Sequence, residues 1–244
     1  MIISKKIVDV KNALDKARND GGRIGFVPTM GALHRGHLSL VEAARAACDL
    51  VVCSVFVNPI QFNNADDLAA YPRMPERDTE MLEAAGCDLA FVPDDKEVFP
   101  GPVSRQYDFG PLDKVMEGAF RPGHFNGVAI VVKRLFDIVL PDAAFFGLKD
   151  YQQFMIIKKM AAIEQLDVEL IGCPTIREEN GLAMSSRNLR LTKEQRARAS
   201  VIFESLNKLK MASRSESLGK MLHQLRAKID AEPDMEVEYL TVAD

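Results

Sequence analysis

Apolar and polar positions follow two alternating patterns over the first 174 residues. Short apolar, often β-branched runs alternate with longer segments in which apolar residues recur at helical spacing. That order predicts parallel strands joined by helical crossovers, and therefore a doubly wound α/β sheet whose strand order the pattern does not reveal. The predicted strands are 24–27, 50–57, 89–92, 143–146 and 168–173, and the predicted helices are 38–47, 76–85, 126–138 and 151–165.

The pattern changes after Pro174. A polar loop leads to Thr192, with Gln195 three residues later, which is a capping-box spacing and predicts a helix to about Lys210. A second helix over 218–229 and a strand over 236–242 follow. The sequence therefore predicts two domains, 1–174 and 175–244, of which the second is small and of the α+β class.

Composition excludes several classes of protein. The net charge of −4 and the pI of about 5.7 give no basic field for holding nucleic acid. No apolar run is long enough for a signal or membrane segment, which predicts a cytoplasmic protein. The cysteines show no C-x-x-C spacing and are interpreted as reduced core residues, not as a disulfide framework or zinc site: Cys48, Cys53, Cys87 and Cys173.

The first candidate for chemistry lies at the turn between the strand 24–27 and the helix 38–47. His34 and His37 fall where a helix presents its N-terminal N–H groups, and Gly31 and Gly36 let the backbone approach a ligand. The positive end of the helix dipole and two imidazole donors suit a triphosphate. The alternative is a surface or core histidine pair without a catalytic role.

Two later strands end in polar residues. Asn58 and Gln61 follow the second strand, where neutral amides can bind hydroxyls and carboxylates or merely satisfy loop backbone groups. After the strand 143–146, Lys149 is placed to reach a phosphate, Asp150 to cap the next helix, and Gln153 lies on its first turn. The alternative for this pair of charges is a solvated turn lysine and a simple cap.

Two loops complete the candidates. Ser185, Ser186 and Arg187 could close over phosphates or form an ordinary turn, and the loop 121–125 enters a helix with His124. Each element is weak alone, but all fall at predicted strand ends or domain junctions, which favours one nucleotide site. The sequence contains no P-loop, and no G-x-G-x-x-G follows the first strand, so a dinucleotide cofactor is disfavoured.

Together these segments resemble one enzyme family, the pantoate–β-alanine ligases. That family is part of the Rossmann-like nucleotidylyltransferases that share an H-x-G-H motif with class I aminoacyl-tRNA synthetases. The resemblance covers the whole chain and rests on four segments: PTMGALHRGH at 28–37, FVNPIQF at 56–62, FGLKDYQQ at 146–153 and MSSRN at 184–188.

The resemblance implies ATP-dependent condensation of (R)-pantoate with β-alanine through a pantoyl adenylate, releasing AMP and pyrophosphate. ATP with Mg²⁺ is then a substrate, with no tightly bound organic cofactor and no metal ligands assigned on the protein. The implied catalytic residues are His37, as proton donor, His34, Lys149 and Arg187. Members are typically homodimers whose C-terminal domain closes over the site.

The resemblance also implies the binding residues. Gln61 and Gln153 hold pantoate, and Gln61 also faces β-alanine. The implied ATP contacts are Met30, Gly31, Ala32, Leu33, His34, Arg35, Gly36, His37, Gly147, Leu148, Lys149, Asp150, the backbone at Ile176, Met184, Ser185, Ser186 and Arg187.

The chain departs from the family pattern in two places. Leu148 stands where glutamate is usual, and the chain stops earlier than members usually do, which predicts an incomplete lid domain. Two other hypotheses stay open. The first is a nucleotidylyltransferase that acts on a phosphorylated substrate, which would need basic residues where this chain has the neutral Gln61 and Gln153. The second is a nucleotide-binding regulator that has lost turnover.

Residue chemistry fits the reaction independently. The pantoate carboxylate is ionised at neutral pH, because such groups titrate near ~4, so adenylation needs charge neutralisation and not a general base. In the second step the β-alanine amine loses a proton, and the sequence leaves a neutral histidine and the AMP phosphate as alternative acceptors.

Overall fold

A computed structural model of the chain describes residues 1–212 and 218–243, without the side chain of residue 212. The chain divides into two compact units, Met1–Thr175 and Ile176–Asp244. Each unit is described separately below.

The first unit is built on one sheet of parallel strands. The strands are β1 (Ile2–Ser4), β2 (Ile24–Thr29), β3 (Leu50–Val55), β4 (Leu89–Phe91), β5 (Ala143–Gly147) and β6 (Glu169–Cys173). They lie in the order β1-β4-β3-β2-β5-β6. The predicted doubly wound α/β sheet is confirmed, and its strand order is new information.

Helices join these strands. They are α1 (Ile7–Asn19), α2 (Arg35–Ala47), α3 (Ala65–Ala69), α4 (Pro75–Ala84), α5 (Asp95–Val98), α6 (Glu117–Phe120), α7 (His124–Val139) and α8 (Tyr151–Ile163), with 3₁₀ turns at Pro59–Gln61 and Leu148–Asp150. The five predicted strands and four predicted helices are present, with ends shifted by a few residues. Sequence reasoning missed β1, which has only three residues, and α1, whose N-cap Lys6 makes no capping side-chain bond.

Hydrophobic cores lie on both faces of the sheet. Successive side chains of a strand point to opposite faces, so Phe26 lies in one core and Val27 in the other. Helices α1, α7 and α8 cover the face of Phe26, and α2 and α4 cover the face of Val27. Burial on both faces explains why the strands appear in the sequence as nearly continuous apolar runs.

The strand order creates a crevice beside β2. From β2 the chain continues to β3 and β4 on one side, and later places β5 on the other side. In open α/β sheets, ligands bind at such a reversal, beyond the carboxyl ends of the strands. The polar segments that follow β2, β3 and β5 all lie at this edge.

The helices described in the second unit follow a loop that has an isolated antiparallel bridge between Arg177 and Ala183. The unit contains a 3₁₀ turn (Ser186–Arg190), α9 (Lys193–Arg198), α10 (Ser200–Ala212) and α11 (Leu218–Asp230). The capping box is confirmed, since Thr192 Oγ1 accepts from the Gln195 N–H at 3.2 Å and Gln195 Oε1 accepts from the Thr192 N–H at 3.0 Å. The single predicted helix is two, because α9 ends at Arg198 and α10 begins at Ser200.

The predicted strand over 236–242 is wrong. Residues 236–243 form no strand, and backbone groups there bond to side chains of α11 instead. The Val237 N–H donates to Asp230 Oδ1 at 2.7 Å, and its carbonyl accepts from Arg226. Val237 packs against Val201 and Ile229, so the alternating apolar pattern marks a packed extended segment. The α+β assignment therefore does not hold for the described part of this unit.

Candidate active site

The two histidines form a reciprocal cap at the start of α2. His34 is the N-cap residue, and its Nδ1 accepts from the Gly36 N–H at 3.1 Å. His37 Nδ1 accepts from the backbone N–H of His34 at 3.3 Å. The two rings are 4.0 Å apart between centroids and both are partly buried. Two imidazoles thus cap α2 in the reciprocal arrangement that a Ser and a Glu side chain usually form at the start of a helix.

These hydrogen bonds fix which nitrogen of each ring carries the proton. A neutral imidazole has one acceptor and one donor nitrogen, so accepting at Nδ1 places the proton on Nε2 in both histidines. The backbone N–H groups of His34 and Gly36 are used by the two histidine side chains. The expectation of free N–H groups at this helix end therefore needs correction, and the ring Nε2–H groups are the candidate donors to a ligand.

His37 is held in its neutral form. Burial lowers its pKa from 6.5 to about 3, with smaller contributions from the neighbouring His34 and from the positive charge of Lys149. Strands β2 and β5 are parallel neighbours in the sheet, so Lys149 after β5 and the histidines after β2 lie at the same edge of the sheet. His34, His37 and Lys149, which sequence analysis assigned to phosphate binding, thus follow neighbouring strands at the crevice.

The backbone before His34 is shaped by a residue that sequence analysis missed. Asp78 on α4 is 1% exposed, and its carboxylate accepts from the N–H groups of Ala32 and Leu33. A Cβ on Gly31 would lie 2.8 Å from Asp78 Oδ2, and the φ of Gly31 is +79°. This glycine therefore makes room for Asp78, whereas the sequence suggested room for a ligand. One signal was available: Asp78 lies one helical turn before the buried Leu82, on the inward face of α4.

Asn58 and Gln61 form a buried amide pair at the end of β3. Asn58 Nδ2 donates to Gln61 Oε1 and to the Gly127 carbonyl, both at 3.2 Å. Gln61 Nε2 donates to the sulfur of Met30 at 2.9 Å, which links this turn to the segment after β2. Asn58 satisfies loop backbone, as the simpler interpretation expected, and it also orients Gln61.

The turn that carries Gln61 is fixed to α7. A Cβ on Gly127 would lie 2.6 Å from the Ile60 carbonyl oxygen and 2.7 Å from Gln61 Cα, so only glycine allows this approach. His124 Nδ1 donates to the Gln61 carbonyl at 2.8 Å. His124 thus holds the backbone of a candidate binding residue from within the protein.

The turn after β5 is more exposed. Lys149 Nζ lies 3.0 Å from Asp150 Oδ1, and both side chains are exposed. Asp150 does not cap α8 as the sequence predicted, because its carboxylate pairs with Lys149 instead. Leu148 packs on Gly172 of β6, where an added Cβ would lie 2.6 Å from Leu148 Cδ2. The side chain of Gln153 is partly buried and makes no hydrogen bond to the described residues.

In the second unit, a hydrogen-bond network orders the segment 184–187. The Met184 N–H donates to the Ile176 carbonyl at 3.0 Å. Ser185 Oγ accepts from the Arg187 N–H at 3.3 Å, and the Arg187 side chain is exposed. Glu178 binds Arg196 through both carboxylate oxygens and Asn188 through one, and sequence analysis named neither Glu178 nor Arg196.

Comparison with known proteins identifies the family. A sequence model of the pantoate-beta-alanine ligase family matches residues 2–244. The chain belongs to this family. A pantothenate synthetase of Porphyromonas gingivalis is 47% identical over 244 residues, which is 100% of this chain and 87% of that protein. One from Bacteroides fragilis is 45% identical, over 100% of this chain and 86% of that protein.

Solved structures of the same family share the fold. Pantothenate synthetase from Thermus thermophilus has a TM-score of 0.93 at 43% identity, covering 100% of this chain and 87% of that one. A pantoate-beta-alanine ligase from Francisella tularensis has a TM-score of 0.82 at 34% identity, covering 100% of this chain and 90% of that one. The latter is complexed with beta-gamma ATP and beta-alanine.

These comparisons confirm the family, the fold and the ligase class expected from the four sequence segments. The roles of individual residues, and the division at 174 and 175, stay predictions. Within the described part of the chain, no helix has the length and apolar character needed to cross a membrane.

Proposed function

We propose that this protein joins (R)-pantoate to β-alanine at the expense of ATP, through a pantoyl adenylate, releasing AMP and pyrophosphate. The observation that carries the proposal is the paired imidazole cap of His34 and His37 at the crevice of the sheet, with Lys149 at the end of the neighbouring strand β5, in a member of this family. This arrangement presents uncharged and charged N–H donors together, as a triphosphate requires.

In the first step, a carboxylate oxygen of pantoate attacks the α-phosphorus of ATP. The bond from that phosphorus to the bridging oxygen breaks, and pyrophosphate leaves with the electron pair. The Nε2–H groups of His34 and His37 donate to oxygens on which negative charge grows, and Lys149 adds a positive charge. Arg187 supplies a guanidinium for the β- and γ-phosphates.

Lys149 changes partner when ATP binds. Its ammonium group is paired with Asp150 at the surface, and such exposed pairs contribute little stability, roughly 0–1 kcal/mol. A triphosphate therefore competes with Asp150 for Lys149 at low cost. Leu148, in the place of the usual glutamate, adds no carboxylate that would retain the lysine.

Pantoate is held by two neutral amides. Gln61 is oriented by Asn58 and by the backbone of α7, and Gln153 lies on the first turn of α8. Amides can donate to the pantoate carboxylate and hydroxyls without weakening the nucleophile by a full positive charge. In the second step, Gln61 also faces the β-alanine amine.

The second step favours the AMP phosphate as proton acceptor. The amine of β-alanine attacks the acyl carbon of the adenylate, AMP departs, and the nitrogen loses a proton. His37 carries its own proton on Nε2 and has a pKa of about 3, so it is a poor base. A phosphate monoester titrates near ~6, which makes the departing AMP a better acceptor. The proposal therefore places this proton on the departing AMP and not on His37.

The remaining assignments follow from the same family. Mg²⁺ accompanies ATP, and it supplies charge neutralisation on the phosphates, to which Mg²⁺ commonly binds with few protein ligands. The segment from Met30 to His37 lines the ATP site, and the turn from Gly147 to Asp150, the backbone at Ile176 and the segment Met184–Arg187 supply the other ATP contacts. We include a homodimer, a cytoplasmic location and a closing role for residues 175–244 in the proposal.

Isotope exchange between pyrophosphate and ATP tests this proposal. Exchange is expected to require pantoate and Mg²⁺, to proceed without β-alanine, and to give way to AMP release when β-alanine is added. Exchange that depends on a phosphorylated substrate would indicate the other nucleotidylyltransferase reaction. Binding of ATP with no exchange, in folded protein, would indicate a regulator and overturn the proposal.

A further inference from the structure

A buried carboxylate lies beneath the turn that carries the histidines. Asp78 belongs to α4, and both of its oxygens are used. Oδ2 accepts from the Ala32 N–H at 2.9 Å, and Oδ1 accepts from the Leu33 N–H at 2.7 Å. Leu33 immediately precedes the N-cap His34, so this contact lies one residue from the imidazole pair.

The backbone at this turn has a shape that binds anions. Gly31 and Ala32 are consecutive residues with positive φ, +79° and +49°. Such a turn directs successive N–H groups into one concavity, and alanine adopts this conformation only when its surroundings hold it there. Here the anion in the concavity is the carboxylate of Asp78. The N–H groups of Ala32 and Leu33 are therefore committed to the protein itself.

Asp78 is poorly placed to act on substrate directly. Its side chain is 1% exposed, and each oxygen is engaged by a backbone donor. What it can do is fix the chain between β2 and α2. A shift of about 1 Å in a catalytic group can cost roughly 10²-fold in rate, so the anchoring of this turn matters for the donors beyond it.

We propose that Asp78 is a positioning residue for adenylation, which holds Ala32 and Leu33 so that His34 and His37 present their Nε2–H groups to the phosphates. The inference rests on the proposed function for its kinetic part. Its structural part, that these two amides stay bonded to Asp78 when nucleotide binds, stands separately.

The kinetic test compares Asp78→Asn with Leu82→Ala. Leu82 lies on the same face of α4, is fully buried, and serves as a control for loss of α4 packing. Pantoate-dependent pyrophosphate exchange is measured per folded molecule, together with the KM for ATP. We expect Asp78→Asn to lower the exchange rate by roughly 10- to 100-fold with a KM within about three-fold, and Leu82→Ala to keep its rate within about three-fold.

Ring ¹⁵N spectra of the histidines give a second readout. In Asp78→Asn, His34 and His37 are expected to depart from the Nε2–H tautomer, and in Leu82→Ala to retain it. Equal loss of exchange in both variants, or exchange in Asp78→Asn within about three-fold of wild type, would overturn the positioning role. A wild-type protein without any exchange would instead count against the proposed function.

The wild-type protein decides the structural part even where Asp78→Asn does not fold. Scalar couplings from the Ala32 and Leu33 amides to the ¹³C-labelled carboxyl group of Asp78 are measured with and without a non-hydrolysable ATP analogue and Mg²⁺. Retained couplings support the proposal. Loss of both couplings on addition of the nucleotide would show that the amides transfer to phosphate, and would refute it.

Discussion

The turn after β2 and the turn after β5 both lead from a parallel strand into a helix at the same crevice, yet their polar groups are used differently. After β2, the side chains of His34, His37 and Asp78 are bonded to the backbone of the turn. After β5, Lys149 and Asp150 pair with each other at the surface, and no side chain caps α8. One turn is fixed before ligand binds, and the other is free to exchange partners.

The comparison suggests a division of labour. Donors aimed at charge that develops during the reaction gain most from being held in place, because they then need no reorganisation. A lysine that captures an incoming triphosphate gains from mobility. Variants of the two turns should therefore differ in kind, with losses in turnover after β2 and losses in ATP binding after β5.

The largest effect is expected from His34→Ala and His37→Ala. Each should lower adenylate formation by roughly 10²-fold or more while ATP still binds, because the Nε2–H donors act mainly in the transition state. Rapid-quench measurement of pyrophosphate release checks this, with His223→Ala, an exposed histidine of the second unit, as control. Release within a few-fold of wild type in both variants would remove the distinction between the turns.

Gln152 and Gln153 are neighbours on α8. We expect substitution of Gln153 to affect the binding of pantoate, and substitution of Gln152 to affect the stability of the fold. Gln153→Ala should lower kcat/KM for pantoate by roughly 5- to 150-fold, since an unpaired substrate group costs about 1–3 kcal/mol. Gln61→Ala should act in the same direction. Kinetics with varied pantoate and with varied ATP measure the effect, and unchanged constants for pantoate would place both residues outside the site.

Gln152 is the matched control for Gln153. Its Nε2 donates to the carbonyls of Leu112 and Val115, and its Oε1 accepts from the Glu117 N–H, so it anchors a loop. Gln152→Ala should lower the free energy of unfolding by roughly 1–3 kcal/mol and leave the KM for pantoate unchanged.

The pH dependence of the free energy of unfolding should show how firmly the turn after β2 holds His37 in its neutral form. The folded protein holds the pKa of His37 at about 3 against an ordinary value of 6.5, so below pH 6.5 the unfolded chain binds a proton that the native state refuses. The free energy of unfolding should therefore fall as pH decreases from 6.5 towards 3. Urea unfolding at about pH 7.5 and about pH 5 should show a smaller loss in His37→Gln than in wild type. Equal losses would contradict a neutral, partly buried His37.

The smallest effect is expected at Leu148. This half-buried side chain packs on Gly172, so Leu148→Ala should cost roughly 1–2 kcal/mol of stability, and Leu148→Met less. Turnover should change little in either variant, because the turn after β5 tolerates rearrangement. A large loss of turnover in Leu148→Ala, measured on folded protein, would show that this turn also needs a fixed position.

Local patterns were enough for the elements but not for their arrangement. Strands such as β2 are predictable because burial on both faces leaves a continuous apolar run, and His34 is predictable from its place between a strand and a helix. The contact between Asp78 and Leu33 spans 45 positions along the chain, and no local pattern contains it. The strand predicted over 236–242 failed for a related reason, because an alternating pattern forms a ladder only beside another strand.

The absence of a side chain at Gly127 limits how the substrate range of the enzyme can be changed. Because α7 touches the backbone of Ile60 and Gln61 directly, the turn that we propose to bind pantoate is fixed to this helix. Helix α7 is buried along most of its length, so under the proposed assignment of Gln61 this turn has little freedom to move away from a bulkier hydroxy acid. Altered selectivity would have to come from trimming side chains at the crevice, since grafting a longer loop here would disturb the core itself.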